Sequence, residues 1–109
     1  MKKAQLVLEK LQKAVTQGSV LTDSKSREFY STDLSCTAGE IADLVLQPGN
    51  AQELADSIRL ATDAGMNIVP RGGGMSYTQG YQPEKKESVL VDMRSMDKIL
   101  EINSEDMYV

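Results

Sequence analysis

The stretch "NIVPRGGGMSYTQGY", residues 67–81, places three consecutive glycines directly after a short apolar run that ends in proline and arginine. The whole chain has eight glycines, so this run is a strong local concentration. Each glycine in regular structure costs about 0.5–1 kcal/mol relative to alanine, and it is used where φ is positive or where the backbone approaches a ligand closely. A plain turn between two strands needs only one or two glycines, and it is the simpler interpretation of this loop.

The second interpretation of the glycines is an anion site. Successive backbone N–H groups in such a loop can converge on one point and form a concave nest for phosphate oxygens. Open α/β sheets bind ligands outside the carboxyl ends of their strands, where this loop would lie. Ser76 would add a hydroxyl donor, and Arg71 would pair either with phosphate or with an acidic residue of a neighbouring strand.

The glycine loop matches neither of the standard nucleotide motifs. A P-loop needs a Gly-Lys pair, and the sequence contains none. The Rossmann pattern would place its third glycine at position 77, where Tyr77 stands, and it needs a helix directly after the glycines. A nucleotide site at this loop therefore requires a different pattern.

The residues before the loop predict a βαβ unit. The short apolar run at 42–46 is typical of a buried strand. Asn50 and Glu53 have capping-box spacing and open a helix, which Gly65 ends as a left-handed cap. Residues 66–70 are the next strand, and the helical crossover predicts that the two strands are parallel neighbours. The inner face of the helix is predicted to consist of Leu54, Ala55, Ile58, Leu60 and Ala61.

The remaining segments complete an α/β (α+β) domain with a small parallel three-stranded sheet and flanking helices. Apolar residues at i, i+3, i+4 and i+7 spacing predict a helix over residues 4–16. The Ser- and Thr-rich residues 19–40 predict a long irregular connection with one short helical turn at 23–27. "SVLVDM", residues 88–93, is a third buried strand, and residues 102–109 have the pattern of a hairpin that begins to return.

Composition excludes several classes of function. A net charge of -4 gives no basic surface for nucleic acid, and the apolar runs are too short for a membrane span. The sequence has no histidine, which removes histidine-based catalysis and the common zinc sites, and we expect no metal site. Its one cysteine, Cys36, forms no internal disulfide and is expected to be a small buried residue. Glu9 and Lys10 interrupt any signal-peptide core, so we expect a cytoplasmic protein.

Several motifs follow one another in the order and spacing of a known family. They are "ADLVLQPGNAQELADSIRLATDAG", "NIVPRGGGMSYTQGY" and "SVLVDMRSMDKILEIN". Together they resemble the N-terminal FAD-binding region of the vanillyl-alcohol oxidase/p-cresol methylhydroxylase family of FAD-linked oxidoreductases, over about residues 42–109. The resemblance implies a first FAD-binding subdomain at 41–100, preceded by a helix and connection at 1–40, and the truncated start of a second subdomain at 101–109.

The resemblance also implies a site for FAD. The glycine loop would wrap the FAD pyrophosphate through its backbone amides, with Pro70 toward the adenine side. Many members attach FAD through a histidine near the position of Met75, so the absence of histidine implies noncovalent FAD in this segment. Tyr77 and Tyr81 would either stack on the cofactor or be ordinary loop tyrosines. The implied cofactor-binding residues are Pro70, Arg71, Gly72, Gly73, Gly74, Met75, Ser76, Tyr77 and Gly80.

The activity implied by the resemblance belongs to a longer enzyme. Family members oxidise an alcohol, hydroxy acid, amine or phenol by hydride transfer to the flavin. We expect this chain to be a piece of such an enzyme, inactive alone, with the catalytic residues and the small-molecule substrate site outside it. An uncovered cleft face is expected to favour self-association of the piece. The alternative is a stand-alone α/β module that binds a phosphate-containing ligand or a protein partner without catalysis.

Overall fold

A computed structural model describes residues 2–32, 40–75, 83 and 87–109 of the chain. The elements in the described part follow the order α, β, α, β, α, β, β along the chain. They are α1 (Lys2–Ala14), β1 (Ser19–Leu21), α2 (Ser24–Tyr30), β2 (Leu44–Gln47), α3 (Ala51–Asp63), β3 (Asn67–Arg71) and β4 (Ser88–Asp92).

The four strands form one mixed sheet in the order β1-β2-β4-β3. β4 pairs in parallel with both β2 and β3, which confirms the three predicted parallel strands. The prediction that β2 and β3 are neighbours is wrong, because β4 lies between them. All five residues of β4 are buried, whereas the burial of β3 varies along the strand, so β4 takes the interior position and β3 the edge.

β1 was missed by the sequence analysis, and it extends the sheet by an antiparallel strand next to β2. Three residues are too few to show a periodicity, so only the pairing with β2 identifies this strand. The predicted irregular connection is therefore wrong at residues 19–21, and at residues 28–30, where α2 continues beyond the predicted turn. The helical turn expected at 23–27 is confirmed and extends to Tyr30. The Asp23 carboxylate caps the start of α2 by accepting a hydrogen bond from the Ser26 amide at 2.9 Å.

The main hydrophobic core lies between the sheet and the helices α1 and α3. The predicted face of α1 is confirmed, and it packs with residues of β2, β4 and α3. The buried members of this core are Ala4, Val7, Leu11, Val15, Leu44, Leu46, Ala61, Met66, Val89 and Val91. A smaller cluster of Ala42, Val45 and Leu90, with Leu21 and Tyr30 packed against it, forms a second core beside α2.

α3 begins and ends where the sequence predicts, but its buried face differs. Asn50 Oδ1 accepts a hydrogen bond from the Glu53 amide at 2.9 Å, and Gly65 has a φ of +79°. Ala61 is buried and Leu54 and Leu60 pack against the main core, as predicted, whereas Ala55 and Ile58 are exposed, contrary to the prediction. Glu53 is buried as well, because its carboxylate accepts hydrogen bonds from backbone amides that precede β1.

The C-terminal residues form the expected hairpin. Asn103 and Tyr108 exchange backbone hydrogen bonds of 2.8 and 3.0 Å, and a turn joins them. Whether this hairpin starts a second subdomain stays a prediction. Among the described residues, no helix has both the length and the apolar character that crossing a membrane requires.

Candidate functional site

The carboxyl ends of the three parallel strands lie side by side at one edge of the sheet. β2 ends at Gln47, β3 at Arg71 and β4 at Asp92. The Met93 amide donates a hydrogen bond of 2.9 Å to the Arg71 carbonyl, so the residues after β4 stay beside the start of the glycine loop. This is the edge at which open α/β sheets bind their ligands.

Pro70 fits its place in the edge strand β3. The Asn67 amide donates to Glu87 and the Arg71 carbonyl accepts from Met93, so the backbone polar groups of these alternate residues face β4. The nitrogen of Pro70 therefore faces away from β4, and the sheet loses no hydrogen bond to the missing N–H. The proline stiffens the strand just before the glycine loop begins.

The three glycines of the loop differ in what requires them. Gly74 has a φ of +81°, and a Cβ placed on it would lie 2.8 Å from Arg71 Nη2. Gly72 and Gly73 are exposed, their φ angles lie outside the left-handed region, and a Cβ on either would meet no described atom within 4 Å. Their two amides have no hydrogen-bond partner in the part of the chain that the structure describes. Among the described residues, therefore, the backbone conformation and packing require glycine at Gly74 but not at Gly72 or Gly73.

Arg71 holds the glycine loop against the end of α2. Its side chain is buried, and Nη1 donates to the carbonyl oxygens of Tyr30 at 2.8 Å and Thr32 at 3.1 Å. The guanidinium also lies over the rings of Phe29 and Tyr30, 5.5 and 5.3 Å from their centroids. Carbonyl groups at a helix C-terminus attract a cation, so this position suits arginine. The partners predicted for Arg71 from the sequence were a phosphate or an acidic residue, and these carbonyl groups were not predicted.

A polar cluster at the same edge joins Tyr30, Gln47, Asp92 and Arg94. The buried Asp92 carboxylate accepts hydrogen bonds from Gln47 Nε2 at 3.0 Å, the Arg94 amide at 3.1 Å and Arg94 Nε at 3.3 Å. Arg94 Nη2 and Gln47 Nε2 both donate to the Tyr30 hydroxyl, at 2.9 and 3.0 Å. The hydrogen bond to Asp92 raises the pKa of the Arg94 guanidinium.

Asp92 thus pairs with Arg94, two residues later in the chain. Tyr30 and Gln47 were missed because they are distant in sequence from the loop, and the only local signal was the position of Gln47 at the end of a predicted strand.

Glu53 lies near this edge as a structural anchor. Its carboxylate accepts from the amides of Gln17 at 2.8 Å, Gly18 at 3.0 Å and Gly49 at 3.0 Å, and from the Thr16 amide and hydroxyl at 3.2 Å. The Gln17 amide is the largest cause that holds the pKa of Glu53 at about 2, and the amides of Gly49 and Gly18 add to it. A carboxylate with such a low pKa is a poor general base near neutral pH.

The predicted cofactor-binding residues divide into two groups. The structure brings Pro70, Arg71 and Gly72 to Met75 together at the carboxyl edge, with Met75 exposed. Ser76, Tyr77 and Gly80 lie outside the described residues, as do Tyr81 and Cys36, and their roles stay predictions. In the described ranges, no cluster of three or more acidic, cysteine or histidine residues could hold a metal ion.

Comparison with known proteins relates the chain to one family and one fold. A family model described as an FAD binding domain matches residues 42–109. The glycolate oxidase subunit GlcD of Bacillus subtilis (strain 168) is 31% identical over 81 residues, which make up 74% of this chain and 17% of that protein. The chain thus spans about a sixth of the length of this curated relative.

Two solved structures share the fold. A structure of alkyldihydroxyacetonephosphate synthase superposes with a TM-score of 0.79 at 20% identity, covering 93% of this chain and 22% of the other. A structure of p-cresol methylhydroxylase with substrate bound superposes with a TM-score of 0.76 at 15% identity, covering 94% of this chain and 21% of the other. At these identities the likeness shows the fold alone.

Proposed function

The chain belongs to the family of FAD binding domains, and we propose that its glycine loop holds the FAD pyrophosphate within a flavin-dependent oxidoreductase. The family match supplies the cofactor class, and the position of the loop at the carboxyl edge of the parallel strands supports the assignment to the pyrophosphate. FAD carries the redox chemistry, accepting hydride when bound, while the residues of this chain bind and orient it.

The observation that carries the proposal is the open space at Gly72 and Gly73. A side chain there would meet no described atom, so neither φ nor packing against the described residues explains two successive glycines. Their amides have no partner in the described ranges, and paired amides of this kind suit the oxygens of a diphosphate. Close approach of a ligand to the backbone explains both glycines, because a side chain at either position would block it.

The other residues of the loop support the amides. Arg71 fixes the loop on α2, and its charge adds to the attraction for an anion. We assign Pro70, Gly74, Met75, Ser76, Tyr77 and Gly80 to the same cofactor surface. Binding is noncovalent in this segment, because Met75 stands near the position at which a histidine would attach the flavin, and the sequence contains no histidine.

The substrate of the whole enzyme is proposed to be an alcohol, a hydroxy acid or a similar small molecule. The glycolate oxidase relative favours a hydroxy acid. The catalytic residues would lie in the rest of the enzyme, so this chain alone is proposed to be inactive and to self-associate through its uncovered face. The alternative of a stand-alone binding module predicts a natural stop codon after Val109. A reading frame that continued for several hundred residues beyond Val109 would argue against this alternative.

The test of the loop assignment is the FAD content of the full-length protein with valine at Gly73. Because the space around Gly73 is open, Gly73→Val should leave the fold intact while filling the proposed diphosphate site. We expect the purified variant to lose most of its flavin absorbance. Ala55→Val, an equally small-to-branched change at an exposed position of α3, is the matched control and should keep its flavin. Equal flavin content in the two variants would show that the loop is not the pyrophosphate site.

A further inference from the structure

Arg94 is a second cation at the carboxyl edge, and we propose that it binds the same phosphate-containing ligand as the glycine loop. This inference rests on the proposed function, which assigns the ligand to the loop amides but gives no role to Arg94.

The pairing of β3 with β4 places Arg94 beside the loop. Arg71 is opposite Asp92 in the parallel register, and the Met93 amide still donates to the Arg71 carbonyl. Gly72 therefore follows Arg71 at the end of β3, and Met93 and Arg94 follow Asp92 at the end of β4. The guanidinium groups of Arg71 and Arg94 also lie 5.3 and 5.6 Å from the centroid of the same Tyr30 ring, so the two cations share one part of this edge.

The side chain of Arg94 is already held in place. Nε and Nη2 bond the Asp92 carboxylate and the Tyr30 hydroxyl, and the guanidinium lies 5.6 Å from the centre of the Tyr30 ring. Its Nη1 has no hydrogen-bond partner within the described ranges, and the side chain remains 51% exposed. A donor whose rotamer is fixed before binding loses less conformational entropy when a ligand arrives.

The local charge favours an anion. Arg71 and Arg94 are cationic and Asp92 is anionic, so these three residues carry a net charge of +1 in a chain whose net charge is -4. A positive site inside an otherwise acidic protein attracts anions locally. The simpler role for Arg94 is a latch on Asp92, but Asp92 also has Gln47 Nε2 and the Arg94 amide as donors.

The test is a titration of the 15N-labelled chain with inorganic pyrophosphate, followed by amide and arginine Nε–H resonances. In the unchanged chain we expect the Gly72 and Gly73 amides and the Arg94 Nε–H to shift together. Arg94→Gln should weaken the apparent affinity by roughly fivefold, as for one partly exposed charged contact. Arg59→Gln is the matched control, because Arg59 is also exposed and also pairs with an aspartate, on the surface of α3.

A second variant tests the positioning. Tyr30→Phe removes the hydroxyl that accepts from Arg94 Nη2 but keeps the ring beneath the guanidinium. We expect this variant to lower the affinity for pyrophosphate by roughly twofold and to reduce the shift of the Arg94 Nε–H resonance, because the guanidinium is then held less firmly.

The outcomes separate this inference from the proposed function. If the loop amides shift while the Arg94 Nε–H stays in place and Arg94→Gln binds as tightly as the unchanged chain, the role of Arg94 is wrong and the loop assignment stands. If the loop amides do not shift in the unchanged chain, both are wrong. The Arg94 Nε–H of the unchanged chain decides the matter even where Arg94→Gln fails to fold.

Discussion

Single residues at the carboxyl edge divide into those that serve the fold and those that are left for a ligand. Gly74 and Gly72 show the contrast, since they are two residues apart and have different surroundings. Gly74 combines a positive φ with close contact to the Arg71 guanidinium, whereas Gly72 faces open space. The sequence alone predicts that this loop needs glycine, but it does not distinguish the glycine required by the backbone conformation from the glycines that leave room for a ligand.

Alanine at these two glycines should separate the two roles. Gly74→Ala should lower the free energy of unfolding by about 1–2 kcal/mol, because alanine is strained at positive φ and its Cβ would press on the arginine. Gly72→Ala should leave the free energy of unfolding the same or slightly higher, since its space is open. Urea denaturation of both variants measures the difference, and equal losses of stability would contradict this assignment.

Glu53 is expected to make stability depend on pH. Its pKa is lowered from 4.5 to about 2 in the folded chain, so the ionised form stabilises the fold above the unfolded pKa. This contribution is lost as the pH falls from about 5 toward about 2. Glu53→Gln should therefore melt at a lower temperature than the unchanged chain at pH 7, and the gap should narrow at acidic pH. A gap that stays constant from pH 7 to pH 2.5 would argue against the carboxylate as its cause.

At the scale of elements, α2 and the glycine loop act as one unit through Arg71. The guanidinium links the carbonyls of Tyr30 and Thr32 to the loop that follows β3, across 41 and 39 residues of sequence. α2 thus orders the site without belonging to the glycine motif. A long-range contact of this kind leaves no periodic or local signal in the sequence.

Removal of the Arg71 guanidinium should loosen the end of α2. Arg71→Met keeps much of the buried volume but leaves two carbonyl groups without this donor, and we expect a loss of about 1–3 kcal/mol in the free energy of unfolding. Amide hydrogen exchange at residues 28–32 should accelerate more than at α3. Arg59→Met, on the exposed face of α3, is the control and should change stability by less than about 0.5 kcal/mol. Unchanged exchange at the end of α2 would rule out this coupling.

The elements that sequence predicted are those with local signals. α1 has a clear apolar face, α3 has Asn50 and Gly65 at its ends, and β4 has a continuous apolar run at residues 89–91. β1 has no such signal, and the order of the strands depends on which strand is buried on both sides. The burial of Glu53 on α3 also escaped prediction, because acidic side chains are seldom buried and its partners Gln17 and Gly18 lie 36 and 35 residues away in sequence.

At the scale of the whole molecule, the exposed apolar side chains of the described residues are concentrated near the C-terminus. Ile99, Leu100, Ile102, Met107 and Val109 are all exposed. Soluble monomers rarely leave such patches uncovered, so this surface is expected to be covered by protein. The self-association predicted from the sequence was assigned to the uncovered cleft face, and this C-terminal surface is a second candidate for it.

Self-association of the isolated chain should depend on this surface. Leu100 is 94% exposed, so Leu100→Lys costs little packing but places a charge in the patch. We expect the variant to shift sedimentation toward the monomer, relative to the unchanged chain at the same concentration. Leu6→Lys, which changes an exposed leucine on α1, is the control and should not shift it. Identical sedimentation of the unchanged chain and Leu100→Lys would remove the C-terminal patch as the contact.

The anchoring of Glu53 has a consequence for exchanging this domain between relatives. The region matched by the family begins at residue 42, but Glu53 is held by amides at residues 16–18, and the core needs the apolar face of α1. In a chimera joined at residue 42, the Glu53 carboxylate would face the N-terminal segment of the other relative instead of the amides of residues 16–18. The segment that must be inherited or grafted as a block therefore begins before the motif, at the first helix.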